Sequence, residues 1–493
     1  MLNPVFRQYL EDVLGPEGAG EVLAALECPA SVSVRLNPSK QEAGNAGIRE
    51  IAGAETDGRV PWSDRGYFLK ERPVFTLDPA IHAGAYYVQD SSSMFVGFVF
   101  RQMLGRLLGA GALSSWRNVR VLDLCAAPGG KTTDLAASLR ETLGDRFILV
   151  SNEVMKNRAG VLADNVAVWG DPNVVVTSAD PAAFARIEGF FDIILTDVPC
   201  SGEGMFRKDD EAVDQWSGET VALCAARQRR ILADVWPALT HGGILIYSTC
   251  TFNRFENDGN IDWIASELGA EIQDIGCQFD GPVQTEHGFS LAPGFVRGEG
   301  QYCAALRKND DRAVSAQAMN AQDEPFNIIR GNNNRPEKRN KGKGRPDKAG
   351  IPAIPEREPA EMFSTDVAFR DRNGLIIAVP RQIESDLSCI ENFIKPLSAG
   401  VATGTVKAGK LIPDADLALS TILRKDAFPD AELDKKAALE FLHRDSIRLE
   451  DAPLGYVTVS YQGHRLGFVK NIGNRCNNLH PMSRRIIMDL RDK

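Results

Sequence analysis

Apolar residues in the middle of the chain follow two alternating rhythms. Val119–Leu124 is a short run rich in β-forming residues, and Asp134–Leu143 after it spaces its apolar residues as a helix does. The pair repeats as Phe147–Ser151 and Val154–Val168. Val174–Thr177, Phe191–Thr196 and Ile244–Ser248 read as further buried strands, with a helical Leu223–Leu239 between the last two. Strands that alternate with helices pair in parallel, because each helix carries the chain back across a face of the sheet. The pattern therefore predicts an α/β fold with an open, doubly wound sheet. Such sheets bind ligands at the carboxyl ends of their strands, so functional residues are expected just after these runs.

The flanks read differently. Residues 1–112 are mixed α+β: an amphipathic first helix, a strand-like Ser31–Leu36, and a stretch punctuated by Gly and Ser through His82–Ser93. Residues 113–308 hold the alternating pattern. Gly, Asn, Pro and Lys dominate 309–357, where apolar spacing lapses as in a flexible linker. From 358 to 493 come strand-like Gly374–Val379, Tyr456–Tyr461 and Leu466–Val469, and a helical stretch near Leu433–Leu442. No internal repeat recurs at a fixed period.

Charge sharpens the picture of the linker. The 493 residues carry 56 basic and 66 acidic side chains, −10 in all. Arg330–Lys348 alone holds eight basic residues against two acidic ones, a window of +6 that leaves −16 on the rest. It reads as a solvated linker or as a basic arm that neutralises phosphates, and the two readings are compatible. Composition is otherwise that of a globular protein, with 43% hydrophobic and 25% charged residues. Apolar stretches such as Met94–Phe100 and Gly243–Tyr247 fall far short of the ~20 residues of a membrane helix. Met1–Leu14 carries acidic residues and does not resemble a secretory signal. Nine cysteines without a CxxC pair suit reduced thiols in the cytoplasm.

Candidate chemistry begins at Val121-Leu122-Asp123-Leu124-Cys125-Ala126-Ala127-Pro128-Gly129-Gly130-Lys131-Thr132, a strand, a glycine turn and a helix start. Gly130-Lys131-Thr132 looks like the end of a triphosphate-binding loop. That loop needs a glycine five residues before Gly130, where Cys125 stands, and GxGxxG is also absent. Small residues here let a ligand approach the backbone closely. Glu153, Asp180 and Asp197 lie at the ends of the second, third and fourth strands. Three acids without a full phosphate cradle suit a nucleoside ligand lacking phosphates, such as S-adenosylmethionine, although acids also favour helix caps.

Two cysteines share that edge. Cys200 follows the fourth strand in Asp197-Val198-Pro199-Cys200-Ser201-Gly202, and Cys250 follows the fifth in Ser248-Thr249-Cys250. A lone cysteine is commonly a small buried hydrophobe, and Cys28, Cys224, Cys277, Cys303, Cys389 and Cys476 read that way. The six histidines lack metal-ligand spacing, so no metal is expected. Thiols at adjacent strand ends beside a nucleoside ligand suggest methylation at carbon 5 of cytosine. That carbon becomes nucleophilic once a thiolate adds to carbon 6. The reaction needs a thiolate, a group that stabilises charge on the base, and a further acid–base group. Cys250, Asp197 and Cys200 can fill these roles.

The motifs stand in the order found in a known family. The chain resembles the Sun-type RNA (cytosine-5) methyltransferases, in particular their bacterial RsmF-like branch. Gly84-Ala85-Tyr86-Tyr87-Val88-Gln89-Asp90-Ser91-Ser92-Ser93-Met94 is similar to the segment preceding the family's catalytic domain, and Cys125–Lys131 to its cofactor loop. Asp197–Gly202 and Ser248–Cys250 resemble its two cysteine motifs, and Arg297–Gly300 with Ala304–Lys308 the end of that domain. The resemblance covers about residues 30–308. It implies a Rossmann-like methyltransferase sheet, with Cys125–Lys131, Glu153, Asp180 and Asp197 holding S-adenosylmethionine. It further implies Cys250 as nucleophile and Cys200 as helper for product release; DNA cytosine methyltransferases use the proline–cysteine thiol instead, so the reversed assignment stays open. Gly294 departs from the histidine expected after Pro293. Phe428-Pro429-Asp430, Pro453–Tyr456 and Gly467–Asn471 resemble the branch's PUA-like RNA-binding end, with a packing-only role as the alternative, and Arg207 and Lys208 read as neighbours of the substrate or as plain surface charge.

The expectation is a monomeric, cytoplasmic enzyme that uses S-adenosylmethionine to methylate ribosomal RNA of the small subunit, without metal or membrane. A tRNA-directed relative and a non-catalytic ribosome-assembly factor are the competing readings. If Arg330–Lys348 contacts phosphates, deleting it will flatten the salt dependence of RNA binding, measured as the slope of log K against log salt. An unchanged slope makes it a tether only.

Overall fold

The structure is a computed structural model that describes residues 3–41, 50–111, 117–309, 359–407 and 409–489. The basic window Arg330–Lys348 lies outside the described residues. At the centre are β1 (Val119–Asp123), β2 (Phe147–Asn152), β3 (Val174–Thr177), β4 (Phe191–Asp197), β5 (Leu239–Thr249) and β6 (Gln301–Lys308). Their order across the sheet is β6-β5-β4-β1-β2-β3. The first five run parallel, as their alternation with helices requires. The direction of winding reverses between β1 and β4, so the turns leaving these two strands open a crevice at the sheet edge.

Two elements depart from the sequence expectation. β6 runs antiparallel to β5, and nothing in its local spacing announces its direction. The stretch read as punctuated by Gly and Ser forms a strand, Tyr86–Val88, and then a helix, Ser91–Gly109. Asp90 caps this helix by accepting from the Ser93 amide, so the serines open the helix where a loop reading would end one. Its apolar side, including Met94, Phe95, Val99, Phe100 and Met103, is wholly buried against one face of the sheet. Gly97 lets it meet the helix Gly130–Leu143, because a Cβ there would lie 2.3 Å from an Asp134 oxygen. The helix Gly218–Val235 stops before Pro237, and Leu239 already belongs to β5.

Ahead of this domain, a 23-residue helix, Pro4–Leu26, precedes a sheet in which Val32–Leu36 pairs with Gly66–Leu69 and Tyr86–Val88. Gly294, with φ +94°, faces that helix; a Cβ would come 2.9 Å from the Glu21 carbonyl oxygen. A larger side chain at this position has no room.

From residue 359 onward the described residues form two four-stranded sheets. The first module is built into the central sheet. Pro396–Ser398 pairs antiparallel with β3, and Ile383, Leu387 and Ile390 join the core formed by Leu122, Ile148, Val150 and Ile194. Asp386 accepts from Asn118 at 2.7 Å and pairs with Arg120 at 2.8 Å. The last sheet contains Asp430–Glu432, Gly455–Tyr461, His464–Asn471 and Cys476–Asn478, with the helix Lys435–His443 against it. Among the described residues no helix is long and apolar enough to cross a membrane.

Leu387 is completely buried, so Leu387→Ala is expected to lower the stability of the whole chain by about 3 kcal/mol, read from urea unfolding. A loss under about 1 kcal/mol would mean that the second half only rests on the central sheet.

Candidate active site

The turn after β1 is held from below. Asp123, fully buried, accepts from the Thr132 hydroxyl at 2.7 Å through one oxygen, while the other has no hydrogen-bond partner. Burial pushes its carboxyl up to about 7. Gly129, at φ +115°, turns the chain into the helix that starts at Gly130. This conformation costs glycine little and a branched residue much.

Lys131 reaches across the crevice to Asp197 at the end of β4, with 2.9 Å between Nζ and Oδ2. Burial works against its charge, but Asp197 outweighs it and holds the ammonium above its ordinary range. The other Asp197 oxygen accepts from Ser248 at 2.9 Å and from Gln301 at 3.1 Å. Four elements thus converge on one carboxylate: the β1 turn, β4, β5 and β6.

Beside this carboxylate lies a cleft of about 190 Å³. Cys125, Ala126, Ala127, Pro128, Gly130, Lys131 and Asp197 form one side of it, and Tyr87, Gln89, Asp90 and Ser93 the other. Three residues of the expected set stand outside its walls. Gly129 caps the helix behind it. Glu153 is buried at the end of β2, where it accepts from the Met155 amide at 3.0 Å and faces Arg158 at 3.3 Å. Asp180 is exposed and caps Pro181–Phe184 through the Ala182 amide.

The two cysteines meet. β4 and β5 pair with Ser248 opposite Asp197, so their outgoing loops leave side by side, and the Cys200 and Cys250 sulfurs stand 3.0 Å apart as free thiols. Both residues are partly exposed. The hydrogen bond to Cys250, together with burial, raises Cys200 well above the usual thiol range. Burial does the same to Cys125.

Two buried acids outside the expected set lock the loops. Glu203 accepts from the Phe252 amide at 2.6 Å and from Asn253 at 2.8 Å. Glu256 accepts from the Ser201 amide at 3.0 Å and from Gln228 at 2.7 Å. Each carboxylate belongs to one loop and binds the other. Burial pushes Glu256 up to about 7, with hydrogen bonds opposing and the Glu203 charge adding to the rise. Gly204 completes the lock: its amide donates to the Cys250 carbonyl at 2.7 Å, and a Cβ would come 2.8 Å from that oxygen. In the sequence these acids were only polar letters near cysteines.

Arg207, expected beside the substrate, turns inward instead. It forms a two-pronged pair with Glu299 at 2.9 and 3.0 Å, both side chains almost fully buried, while Lys208 remains partly exposed. Among the described residues, three potential metal ligands come together only at Asp262, Glu286 and His287. There Arg254 already binds Glu286 at 2.7 Å.

A doubly wound sheet with a glycine turn after its central strand and a cleft beside that turn is the architecture of a Rossmann-like methyltransferase. A methyltransferase homologue from Pyrococcus horikoshii shares it, at a TM-score of 0.51 and 25% identity over 62% of this chain and 95% of that one. NSun6 from the same organism, solved with SFG, superposes at 0.51 with 18% identity, covering 63% and 99% of the two chains. Three family models match in order along the sequence. They are the N-terminal domain of 16S rRNA methyltransferase RsmF over residues 2–91, 16S rRNA methyltransferase RsmB/F over 110–307, and the methyltransferase RsmF PUA domain over 428–486. Ribosomal RNA small subunit methyltransferase F of Serratia proteamaculans is 31% identical over 86% of this chain and 83% of its own length. Its namesake in Escherichia coli O17:K52:H18 is 29% identical over 94% and 91%. The chain belongs to the RsmF family of methyltransferases.

The raised Asp123 pKa carries a sign. Folding favours its protonated form, so that contribution to stability is present below the ordinary 3.8 and is lost as pH rises toward 7. Asp123→Asn keeps the acceptor for Thr132 and removes this dependence. In urea unfolding of the ligand-free protein, the variant should gain on the parent between pH 4.5 and 7 and level off above, by a few kcal/mol at most. Parallel pH profiles for the two proteins would contradict the burial argument.

Proposed function

We propose that this chain transfers a methyl group from S-adenosylmethionine to carbon 5 of a cytosine in small-subunit ribosomal RNA, through a covalent bond to Cys250. The pairing of the Cys200 and Cys250 sulfurs at 3.0 Å, on the loops that leave β4 and β5, carries this reading; neither cysteine lines the cleft itself, which Asp197 at the end of β4 borders. The names of its relatives supply the substrate, and the SFG bound to NSun6, an analogue of S-adenosylmethionine, supports the cofactor.

The residues present fit that cofactor. Small residues of the glycine turn line one side of the cleft, and in the facing wall the buried Gln89 Nε2 has no protein partner. Cys125–Lys131 and Asp197 would hold its amino-acid and sulfonium part, and Glu153 and Asp180 at the neighbouring strand ends its nucleoside. When bound, S-adenosylmethionine supplies an electrophilic methyl at a sulfonium.

The chain's own groups do the rest. Cys250 as thiolate forms a bond to carbon 6 of an unstacked cytosine, and the displaced π electrons make carbon 5 nucleophilic. Asp197, fixed by Lys131, Ser248 and Gln301, is placed to hold the polar edge of the base as charge develops. After methylation a base takes the proton from carbon 5, the ring double bond re-forms, and the Cys250 sulfur leaves with its bonding pair. The Cys200 thiol, within hydrogen-bonding distance of that sulfur, is the helper for its departure. In this reading the enzyme works as a monomer in the cytoplasm, and its N-terminal and PUA parts grip the RNA.

Transfer of labelled methyl to naked ribosomal RNA, small subunits and tRNA tests the substrate; label confined to tRNA overturns the ribosomal reading. Cys250→Ala is expected to abolish transfer, and Cys200→Ala to accumulate a protein–RNA adduct that survives denaturing gels. The adduct appearing in Cys250→Ala instead would exchange the two roles.

A further inference from the structure

Gln89 lies in the wall of the cleft facing the glycine turn and is 6% exposed. Its Oε1 accepts from Arg35 Nε at 2.7 Å, which fixes the orientation of the amide. The remaining atom, Nε2, is buried and has no hydrogen-bond partner. Such a donor is costly to leave unmade, and buried side-chain donors are in the main satisfied. The amide cannot readily turn away. Arg35 is completely buried, donates to the Gly130 carbonyl at 3.0 Å and to Thr133 at 2.6 Å, and stacks 4.9 Å over the Trp169 ring.

The cleft supplies what the protein does not. A Cβ on Gly130 would come 3.7 Å from the Gln89 amide carbon, so this amide borders the turn that holds the ligand. The nearby carboxylate of Asp197 is already engaged by Lys131, Ser248 and Gln301. Behind the amide, Arg35 and Arg101 share a single acid, Asp134, each at 3.7 Å. In the same wall Asp90 already accepts from the Ser93 and Glu299 amides, so the free donor calls for an acceptor on the ligand, and the carboxylate is the strong acceptor at the amino-acid end of the cofactor.

From this we infer that Gln89 Nε2 donates a hydrogen bond to the carboxylate at the amino-acid end of the cofactor, and that Arg35 is the positioning residue that aims it. The N-terminal domain then forms part of the cofactor site and holds its acid end. The inference rests on the proposed cofactor.

Two ligands separate the possibilities by calorimetric titration of the full chain. S-adenosylhomocysteine carries the carboxylate; 5′-methylthioadenosine has the same nucleoside and thioether without the amino-acid end. Gln89→Glu keeps the acceptor for Arg35 and replaces the donor with oxygen. It should weaken S-adenosylhomocysteine roughly tenfold or more and leave methylthioadenosine within about twofold. Gln89→Met removes the amide without adding charge and should show the same selectivity, which covers the case that one variant fails to fold. Equal weakening of both ligands, or no change in either, overturns the role of Gln89 while the cofactor reading stands. A parent protein that binds neither ligand overturns the cofactor reading itself, and this inference with it.

Discussion

Two loops that carry Cys200 and Cys250 leave adjacent parallel strands at the same level, because Ser248 pairs beside Asp197. Loops of this kind have no repeating hydrogen bonds of their own, and burying them exposes amides that something must satisfy. Glu203 and Glu256 do this across the gap, each rooted in one loop and bonded to the other. The distance between Cys200 and Cys250 follows from that exchange of carboxylates. A one-residue slip of β5 would turn Ser248 away from Asp197 to the other face of the sheet and part the two loops.

The second constraint is electrostatic. Lys131 and Asp197 are a largely buried pair that joins the β1 turn to β4. Removing either partner from such a pair costs about 3–5 kcal/mol, since the other charge is left desolvated. The pair therefore ties the cleft to the thiol strands and makes the two halves of the site one object. Asp123 beneath the turn is held near neutrality by burial, which limits how much negative charge the crevice concentrates.

The flanking regions are structural parts of this object rather than appendages. Arg35 from the first sheet reaches the Gly130 carbonyl, and Asn37 donates to the Trp169 carbonyl at 3.0 Å. On the opposite face, Leu387 and Ile390 supply apolar side chains that the catalytic sheet would otherwise leave bare. The last module, matched by the PUA model over 428–486, has a core around Phe441, Val457 and Val459 and is tied to the rest by Phe468, which packs with Met362 and Leu417, and by Arg484, which pairs with Asp164 and Asp416.

The periodicity of apolar residues was enough to determine the parallel strands, and placing chemistry at strand ends picked out Cys125–Lys131, Asp197, Cys200 and Cys250. These signals are local: a buried strand needs a short apolar run whatever it packs against. What depended on distant partners stayed hidden. The direction of β6, the helix of Ser91–Gly109, the inward turn of Arg207 and the bracing acids Glu203 and Glu256 each answer to residues far along the chain. Gln89 and Asp123 sat in plain view within quoted motifs, yet only burial distinguishes a polar residue with a free atom from one that water satisfies. Sequence thus determined which chemical groups gather at the sheet edge. Tertiary structure decided their protonation and their mutual distances, because desolvation and register are properties of packed neighbours and not of any one segment.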